Sequence, residues 1–144
     1  MSTSLHETAT SRLRGVQQRY TRGRQTLVDI LADAGRPLSI PDILAIDASV
    51  PQSSVYRNLT TLELAGVVRK VQGADEFSRF ELAEDLTEHH HHLVCTSCGT
   101  VDDYTAPSHV EHTMAQAIDE IAGETGFRAD FHRLDLIGVC ARCR

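Results

Sequence analysis

Apolar residues in the first half of the chain recur at helical spacing in successive segments. The segment from Gly23 to Ala34 places four of them three and four residues apart, which predicts an amphipathic helix that ends at Gly35-Arg36-Pro37. Ser39 is a capping residue for a short second helix, and Ser53 or Ser54 is a capping residue for a third. The apolar positions of the first and third helices are Leu27, Ile30, Leu31, Ala34, Val55, Leu59, Leu62 and Leu64.

Two short segments after the third helix have the character of strands. Residues 67–71 are rich in β-branched side chains, residues 72–75 form a turn, and residues 77–82 alternate between apolar and polar positions. Three helices followed by a β-hairpin is the order of a winged helix-turn-helix domain, in which the third helix enters the major groove of DNA. The first half of the chain is therefore predicted to bind double-stranded DNA.

The second half predicts a smaller unit in which strands flank one helix. The expected elements are strands at residues 93–95, 100–104 and 131–137 and a helix at residues 110–123. We therefore predict an α+β fold, with an N-terminal winged helix-turn-helix domain at residues 1–84 and a small C-terminal α/β dimerisation domain at residues 85–144. A unit of about sixty residues buries little apolar surface, so we expect metal binding and homodimer formation to compensate.

The charge distribution indicates different roles for the two halves. The formal net charge is −6, but residues 1–72 hold 9 Lys and Arg against 6 Asp and Glu, whereas residues 73–144 hold 5 against 14. A basic first half suits a polyanion and an acidic, His-rich second half suits a cation, although uneven surface charge without a function is the simpler alternative. With no membrane-length apolar run and no secretion signal at the start, we expect a cytoplasmic protein.

The cysteines form two C-x-x-C pairs, Cys95 with Cys98 and Cys140 with Cys143. Two such pairs complete the tetrahedral four-sulfur shell of a structural Zn²⁺ site. Two disulfides or a redox-active pair are the alternatives. A reducing compartment disfavours disulfides, and a redox pair is expected beside a βαβ pattern that is not found here. The cysteines therefore predict a zinc site that joins the two ends of the C-terminal domain.

Four consecutive histidines, His89 to His92, lie before the first cysteine pair at the head of a predicted strand. Side chains alternate across a strand, so His90 and His92 share one face while His89 and His91 share the other. One run can thus supply imidazoles to two sites. Mixed imidazole and carboxylate shells suit Zn²⁺, Fe²⁺, Mn²⁺ or Ni²⁺, and a solvated polyhistidine that binds metal loosely is the alternative. Further candidate ligands are Glu81, Glu84, Asp85, Glu88, Asp102, Asp103, Glu111, His109, His112 and His132.

The start of the third predicted helix carries polar side chains suited to DNA. Arg57 can bond a phosphate or a guanine edge, and Tyr56 offers a ring to a thymine methyl group, unless Tyr56 packs in the core. A basic segment upstream, from Arg12 to Arg24, can follow phosphates, although Arg12 and Arg14 are also compatible with a disordered tail. The candidate DNA-binding residues are Arg19, Tyr20, Arg24, Ser53, Ser54, Tyr56, Arg57 and Thr60.

These motifs together resemble the ferric uptake regulator family of metal-sensing bacterial repressors. The resemblance extends from Tyr20 to Cys143. It rests on Ser54-Val55-Tyr56-Arg57-Asn58-Leu59, Phe80-Glu81-Leu82, the segment from His89 to Gly99, His132-Arg133-Leu134 and the second C-x-x-C pair. It implies a winged-helix DNA-binding domain, a dimerisation domain and structural zinc at the four cysteines. An enzyme is not expected, because no H-E-x-x-H or comparable catalytic spacing is present. Neither a small-molecule substrate nor a membrane partner is expected.

The resemblance further implies two regulatory metal sites. One maps to Glu81, His90, His92 and Asp103, with Glu84 or Asp85 as alternatives to Glu81. The other maps to His89, His91, Glu111 and His132, with His112 as an alternative to Glu111. In such proteins the metal-loaded homodimer binds a palindromic A·T-rich operator and represses metal-uptake or storage genes.

Zinc is the expected regulatory metal. The His-rich cage suits zinc, and Arg36-Pro37-Leu38-Ser39 stands where iron-type members of the family carry a His ligand. An iron-, manganese- or peroxide-sensing regulator of the same family is the alternative. From another class, the alternative is a metal storage or chaperone protein, but such a protein would not need Tyr56 and Arg57 on a capped helix.

Overall fold

The computed structural model describes residues 3–144. The helices within this range are α1 (Thr3–Gly15), α2 (Arg22–Ala34), α3 (Ile40–Ile46), α4 (Gln52–Leu64) and α5 (Ser108–Thr125). The strands are β1 (Leu38–Ser39), β2 (Val68–Gln72), β3 (Ser78–Leu82), β4 (His91–Cys95), β5 (Val101–Tyr104) and β6 (Asp135–Gly138). A short 3-10 helix, Glu84–Leu86, follows β3 and contains the predicted boundary between the two domains.

Helices α1 to α4 and a three-stranded sheet of order β1-β3-β2 enclose one apolar core. Thr21 caps the start of α2 with a side chain that accepts a hydrogen bond from the Arg24 amide, and Gly35 caps its end in a left-handed conformation. Ser39 caps α3 as predicted, in a reciprocal capping box with Asp42. This arrangement of helices and β-hairpin is the predicted winged helix-turn-helix.

Helix α1 is absent from the elements that the sequence predicted. Leu5, Ala9 and Leu13 recur every four residues and are buried in the core. The Arg12 guanidinium donates hydrogen bonds to the Asp85 carboxylate and, over 2.7 Å, to the Gly66 carbonyl. Arg12 and Arg14 both lie in α1, so the disordered-tail alternative for these two residues is wrong.

Helix α4, the helix predicted to enter the major groove, begins earlier than its predicted cap. Pro51 occupies the N-cap position without a side-chain hydrogen bond, so Ser53 and Ser54 lie inside the first turn. Val55, Leu59 and Leu62 are buried as predicted, but Leu64 is 72% exposed and does not belong to the apolar face. The first turn of α4 therefore presents its serines outward rather than using them as caps.

The second half forms a three-stranded sheet of order β5-β4-β6, in which β4 pairs antiparallel with β5 and parallel with β6. Strand β6 covers residues 135–138 rather than the predicted 131–137, and all four of its residues are exposed. Helix α5 contains no buried residue. Of the apolar stripe that predicted this helix, Val110, Met114, Ile118 and Ala122 are partly buried, whereas Ala117 and Ile121 remain exposed.

The two sheets contact each other through apolar and polar groups. Val71 of β2 packs with Val94 and Val101 in a small buried cluster. In the β2–β3 loop, Asp75 accepts hydrogen bonds of 2.6 and 2.9 Å from Arg79 and lies on the turn at Gly99, where a Cβ atom would overlap its carboxylate. The wing is thus packed against the turn that carries the first cysteine pair. Among residues 3–144, no helix has both the length and the apolar character needed to cross a membrane.

Candidate metal centres and nucleic-acid interface

The four cysteines come together where β4 and β6 end. Their Sγ atoms lie within 4.8 Å of one another and none is linked in a disulfide. The Sγ atoms of Cys98 and Cys140 are 3.8 Å apart. Tetrahedral Zn²⁺ with four thiolates at about 2.3 Å requires sulfur separations of about 3.8 Å, whereas a disulfide requires about 2.05 Å. The donor set therefore fits a zinc ion and does not fit two disulfides.

Backbone and hydroxyl groups around Cys95 and Cys98 favour the thiolate form of these two side chains. The amides of Cys98 and Cys140 donate to Cys95 Sγ over 3.5 and 3.3 Å and lower the pKa of that thiol. The Thr100 hydroxyl, 3.3 Å from Cys98 Sγ, lowers the pKa of Cys98 to about 6. Thiolates are the form that coordinates metal, so the site is prepared for an ion.

A second group, here called the inter-sheet cluster, consists of Glu81, His90, His92 and Asp103. Glu81 comes from β3, His92 and Asp103 come from β4 and β5, and His90 directly precedes β4. Glu81 Oε2 is 3.0 Å from His90 Nε2, and Glu81 Oε1 is 3.0 Å from His92 Nε2. Asp103 Oδ1 is 3.7 Å from both of these Nε2 atoms. The inter-sheet cluster therefore joins the wing to the second sheet.

Burial leaves one oxygen of the inter-sheet cluster without a partner. Asp103 Oδ1 is buried and makes no hydrogen bond. Its burial and the nearby charge of Glu81 raise the pKa of Asp103 to about 6. For Glu81, burial acts to raise the pKa, but the hydrogen bond from His92 and the charges of His92 and Arg69 outweigh it and lower the pKa to about 2. An unpartnered buried oxygen is costly, and a cation between these donors would satisfy it.

The outer nitrogen of each imidazole in the inter-sheet cluster is already engaged. His90 Nδ1 is 2.9 Å from the Glu88 carbonyl oxygen, and His92 Nδ1 is 3.2 Å from Asp135 Oδ1. Burial opposes the charged form of both rings, but these acceptors and Glu81 outweigh it and raise the pKa of each histidine. An acceptor oxygen beside Nδ1 favours the tautomer with the proton on Nδ1. The lone pair of Nε2 then points toward the other members of the cluster, as in metal-binding histidines.

A third group, here called the helix cluster, consists of His89, His91, Glu111 and His132. Glu111 Oε1 is 2.5 Å from His91 Nε2, and Glu111 Oε2 is 3.2 Å from His132 Nε2. His89 Nε2 lies 3.2 Å from His132 Nε2. Because Glu111 belongs to α5, this cluster connects that helix to the histidine run. The hydrogen bond from His91 lowers the pKa of Glu111.

The alternative ligands lie elsewhere. Asp85 accepts hydrogen bonds from Arg12. Glu84 Oε1 is 2.9 Å from His89 Nδ1, whereas the other ring nitrogen of His89, Nε2, is the one that lies next to the other members of the helix cluster. His112 is exposed on α5, next to Glu111 but outside both groups. The side chains brought together are therefore Glu81 and Glu111 rather than their predicted alternatives.

The first turns of α4 present the predicted DNA-binding side chains to solvent. Tyr56 is 55% exposed, so its alternative placement in the core is wrong. Ser53, Arg57 and Thr60 are also exposed, and Ser54 is half-buried. Arg24 of α2 lines the same surface depression as Ser54, Tyr56, Arg57 and Thr60. Five of the eight candidates thus share one face.

The loop between α1 and α2 carries the remaining candidates. Arg19 is exposed, and its carbonyl accepts a 2.7 Å hydrogen bond from Arg24 Nη1. Arg24 Nε also donates to Asn58 Oδ1 over 3.1 Å, which connects α2 to α4. The Tyr20 hydroxyl lies 2.5 Å from His6 Nδ1, and burial raises the pKa of Tyr20 to about 12. This loop and the start of α4 are therefore held together.

The ferric uptake regulator family model matches residues 15–137. The chain belongs to the ferric uptake regulator family. The ferric uptake regulation protein of Bordetella parapertussis is 30% identical over 139 residues, which cover 93% of this chain and 95% of that protein. The peroxide operon regulator of Bacillus subtilis is 30% identical over 130 residues, covering 87% of this chain and 83% of that protein.

A solved structure of a zinc-bound manganese uptake regulator is similar to this family member over nearly its whole length. It is 32% identical, with a TM-score of 0.69, and covers 94% of this chain and 98% of that one. The predicted family and α+β fold class are confirmed. Ferric uptake regulator proteins are transcriptional regulators, not enzymes, and this chain is a metal-responsive regulator of that kind. The names of the three relatives refer to iron, peroxide and manganese, so similarity alone does not select the signal.

Several contacts around the candidate sites were not predicted from the sequence of this family member. Arg69 binds Glu81, with Arg69 Nε 2.7 Å from Glu81 Oε1, and Asp135 holds His92. The contact between Arg69 and Glu81 could have been predicted from the register of the hairpin, because Arg69 lies opposite Glu81 when Gln72 pairs with Ser78. The predicted turn at residues 72–75 places the loop too early to give that pairing.

Proposed function

We propose that this chain is a zinc-responsive repressor that binds a palindromic A·T-rich operator as a homodimer in the cytoplasm. The single observation that carries the proposal is the inter-sheet cluster. Its donors come from the wing strand β3 and from the strands of the second sheet, and all lie within 4.8 Å of one another. A cation at such a position fixes one sheet relative to the other, and with it the DNA-binding helices.

The chemistry of this donor set suits Zn²⁺. Two imidazoles and two carboxylates provide four nitrogen and oxygen donors, the number that a tetrahedral zinc shell uses. Bound metal would supply the positive charge that the buried Asp103 Oδ1 lacks. Mn²⁺ and Fe²⁺ also accept mixed imidazole and carboxylate shells but favour more ligands, which makes them the second choice.

The other two groups have separate roles in the proposal. Cys95, Cys98, Cys140 and Cys143 hold structural zinc, because a closed four-sulfur shell offers no open position for signalling. The helix cluster forms a second regulatory site, in which Glu111 would tie α5 to the histidine run. Occupation of this site would order the surface on which α5 lies.

Unsatisfied apolar surface in the second half supports the homodimer. Several large apolar side chains between α5 and the residue after β6 are exposed in the single chain. They are Ile121, Phe127, Phe131, Leu136, Ile137 and Val139, each more than half exposed. A self-complementary contact over this surface would bury them, as expected of a two-fold dimer. Two α4 helices would then meet two half-sites of a palindrome.

The DNA contacts would come from the face shared by α2 and α4. Arg57, Tyr56, Ser53, Ser54 and Thr60 would reach base edges or phosphates from α4. Arg19, Tyr20 and Arg24 would contact the adjacent backbone. Metal should raise the affinity of the dimer for DNA. Because the two binding equilibria are thermodynamically linked, DNA should then raise the affinity for metal by the same factor.

The test is DNA binding titrated with each metal. The protein, with zinc retained at the cysteines and the other sites cleared by chelation, selects duplexes from a random-sequence library in Zn²⁺. The enriched duplex is then titrated anaerobically with Zn²⁺, Fe²⁺ or Mn²⁺ present. We expect Zn²⁺ to tighten binding at the lowest free concentration. DNA affinity that is indifferent to all three metals would contradict the proposal.

Matched variants separate the sites. His92→Ala removes an inter-sheet donor and should abolish the zinc effect on DNA binding while leaving the zinc held by the cysteines. His112→Ala removes an exposed imidazole next to Glu111 and should leave the zinc effect unchanged. Equal loss in both variants would contradict the assignment of the inter-sheet cluster as the sensing site.

A further inference from the structure

Arg69 makes a close and oriented contact with the inter-sheet cluster. It lies on β2 directly opposite Glu81 in the antiparallel register. Arg69 Nε and Nη2 lie 2.7 and 2.6 Å from the same atom, Glu81 Oε1. Glu81 is almost fully buried. Oε1 also lies 3.0 Å from His92 Nε2, and the other oxygen, Oε2, lies 3.0 Å from His90 Nε2, so the contacts from Arg69 are what distinguish Oε1 from Oε2. The two oxygens of one candidate ligand are therefore in different surroundings.

The two contacts from Arg69 reduce the coordinating capacity of Oε1. A carboxylate oxygen has two lone-pair directions, and a guanidinium that remains charged at all accessible pH values offers two N–H groups to this one. Metal binding displaces protons from imidazoles, but it cannot deprotonate the guanidinium. As long as Arg69 stays in place, Oε2 is the oxygen of Glu81 that is free to bind metal.

We propose that Arg69 determines metal selectivity by restricting Glu81 to coordination through Oε2 alone. This inference rests on the proposed function, because it requires that the inter-sheet cluster binds the regulatory metal. One oxygen from Glu81, one from Asp103 and two imidazole nitrogens make a four-donor shell. Tetrahedral zinc needs no more, whereas Mn²⁺ and Fe²⁺ gain from a fifth or sixth donor.

A purely structural role for Arg69 makes a different prediction. An arginine that only neutralised buried Glu81 would change affinity for all divalent ions in the same direction when removed, through the lost charge and the altered position of the carboxylate. A restriction to one oxygen acts on the ratio of affinities instead, because only the metals of higher coordination number use a freed Oε1. The Mn²⁺ to Zn²⁺ affinity ratio therefore separates the two roles.

The experiment compares Arg69→Met with Lys70→Met. Both remove one positive charge from β2, but Lys70 is exposed and its Nζ lies 3.9 Å from Glu63, away from the cluster. Both are made in protein carrying Glu111→Ala, which removes a donor of the helix cluster, with zinc retained at the cysteines. Affinities for Zn²⁺ and Mn²⁺ are measured by competition with a chromophoric chelator.

We expect Arg69→Met to shift the affinity ratio toward Mn²⁺ by about tenfold or more, the usual size of an outer-shell effect. Lys70→Met should leave the ratio unchanged. Arg69→Lys keeps the charge, and if it keeps a contact to Oε1 it should retain most of the zinc preference. This conservative variant also guards against loss of folding in Arg69→Met.

A second measurement reads the number of donors directly. Co²⁺ absorbs more weakly in the visible range as its coordination number rises above four. The Co²⁺ band of the inter-sheet cluster, taken as the difference from a His92→Ala variant, should weaken in Arg69→Met and persist in Lys70→Met. An unchanged ratio and an unchanged Co²⁺ band would overturn the role of Arg69 alone. If the parent protein binds no metal beyond that of the cysteines, both this role and the proposed function fail.

Discussion

The winged-helix half and the C-terminal half of this regulator are stabilised in different ways. In the first, residues from α1 to α4 and the first sheet bury an apolar core within one chain. In the second, no residue of α5 is fully buried and all four residues of β6 are exposed, while histidines and a cysteine are buried. The first half therefore contains the information for its own fold. We propose that the second half needs metal and a second copy of the chain.

This difference suits a sensor. A domain that is stable alone can keep its proposed DNA-binding surface at any metal concentration. A domain held by polar clusters responds to metal, because the ions replace an apolar core. The two halves of the chain contact each other at Glu81, which belongs to the wing strand but faces His90 and His92 of the second half.

The strongest test of the comparison is Cys98→Ser. Metal binding to structural zinc sites supplies about 10–16 kcal/mol, more than the stability of most small domains. We expect the variant to lose its cysteine-bound zinc, the fold of its C-terminal half and its dimeric state, while the helices of the winged half remain. Zinc content, sedimentation and far-ultraviolet circular dichroism measure the three effects.

The control for that variant is Ser97→Ala, which changes the neighbouring exposed residue and keeps all four thiols. It should retain the zinc and the size of the parent protein. If Cys98→Ser also keeps one tightly bound zinc per chain and the parent size, the two halves do not differ in the way described.

The same contrast explains which elements the sequence predicted well. Apolar spacing located α2 and α4 because Leu27 and Leu59 are buried within one chain. It misplaced β6, since the predicted start at Phe131 is 79% exposed and its spacing reflects no burial in the single chain. Helix α1 was not predicted because its apolar stripe is narrow, with only Leu5, Ala9 and Leu13 buried among many polar residues.

The candidate ligands were predictable in a similar way. Alternation along the histidine run assigned His90 and His92 to one group and His89 and His91 to another, and the structure gathers them so. Their outer contacts, such as Arg69 with Glu81, depend on the strand register. That register follows from the length of a loop, which local sequence patterns define poorly.

Truncating one apolar side chain in each half should give effects of different kinds. Leu59 is fully buried, so Leu59→Ala should lower the free energy of unfolding by about 2–5 kcal/mol at every protein concentration. Ile137 is 70% exposed in the single chain, so Ile137→Ala should weaken the dimer and act in a concentration-dependent way. Urea unfolding at two protein concentrations measures both. A concentration-independent loss for Ile137→Ala would argue against the proposed interface.

Removing one DNA contact should leave the metal-binding half intact. Arg57→Ala should weaken binding to the selected duplex by about 1–3 kcal/mol, because it deletes a base or phosphate contact without touching the core. Zinc content should not change. Arg128→Ala, which removes an exposed arginine paired with Asp130 in the second half, is the matched control and should bind DNA normally. Equal weakening in both variants would indicate a general charge effect instead.

The smallest expected effect concerns the contact that joins α1 to the linker between the halves. The hydrogen bond from Arg12 lowers the pKa of Asp85. A carboxyl whose folded pKa is depressed stabilises the fold above its unfolded pKa of about 3.9, and this contribution is lost as the pH falls through the folded value. Asp85 is largely exposed, so Asp85→Asn should cost at most about 1 kcal/mol at neutral pH and less near pH 2, where part or all of the charge is lost. Urea titrations of both proteins at the two pH values measure this difference, and a cost that persists undiminished in acid would show that Asp85 acts through packing or hydrogen bonding rather than through its charge.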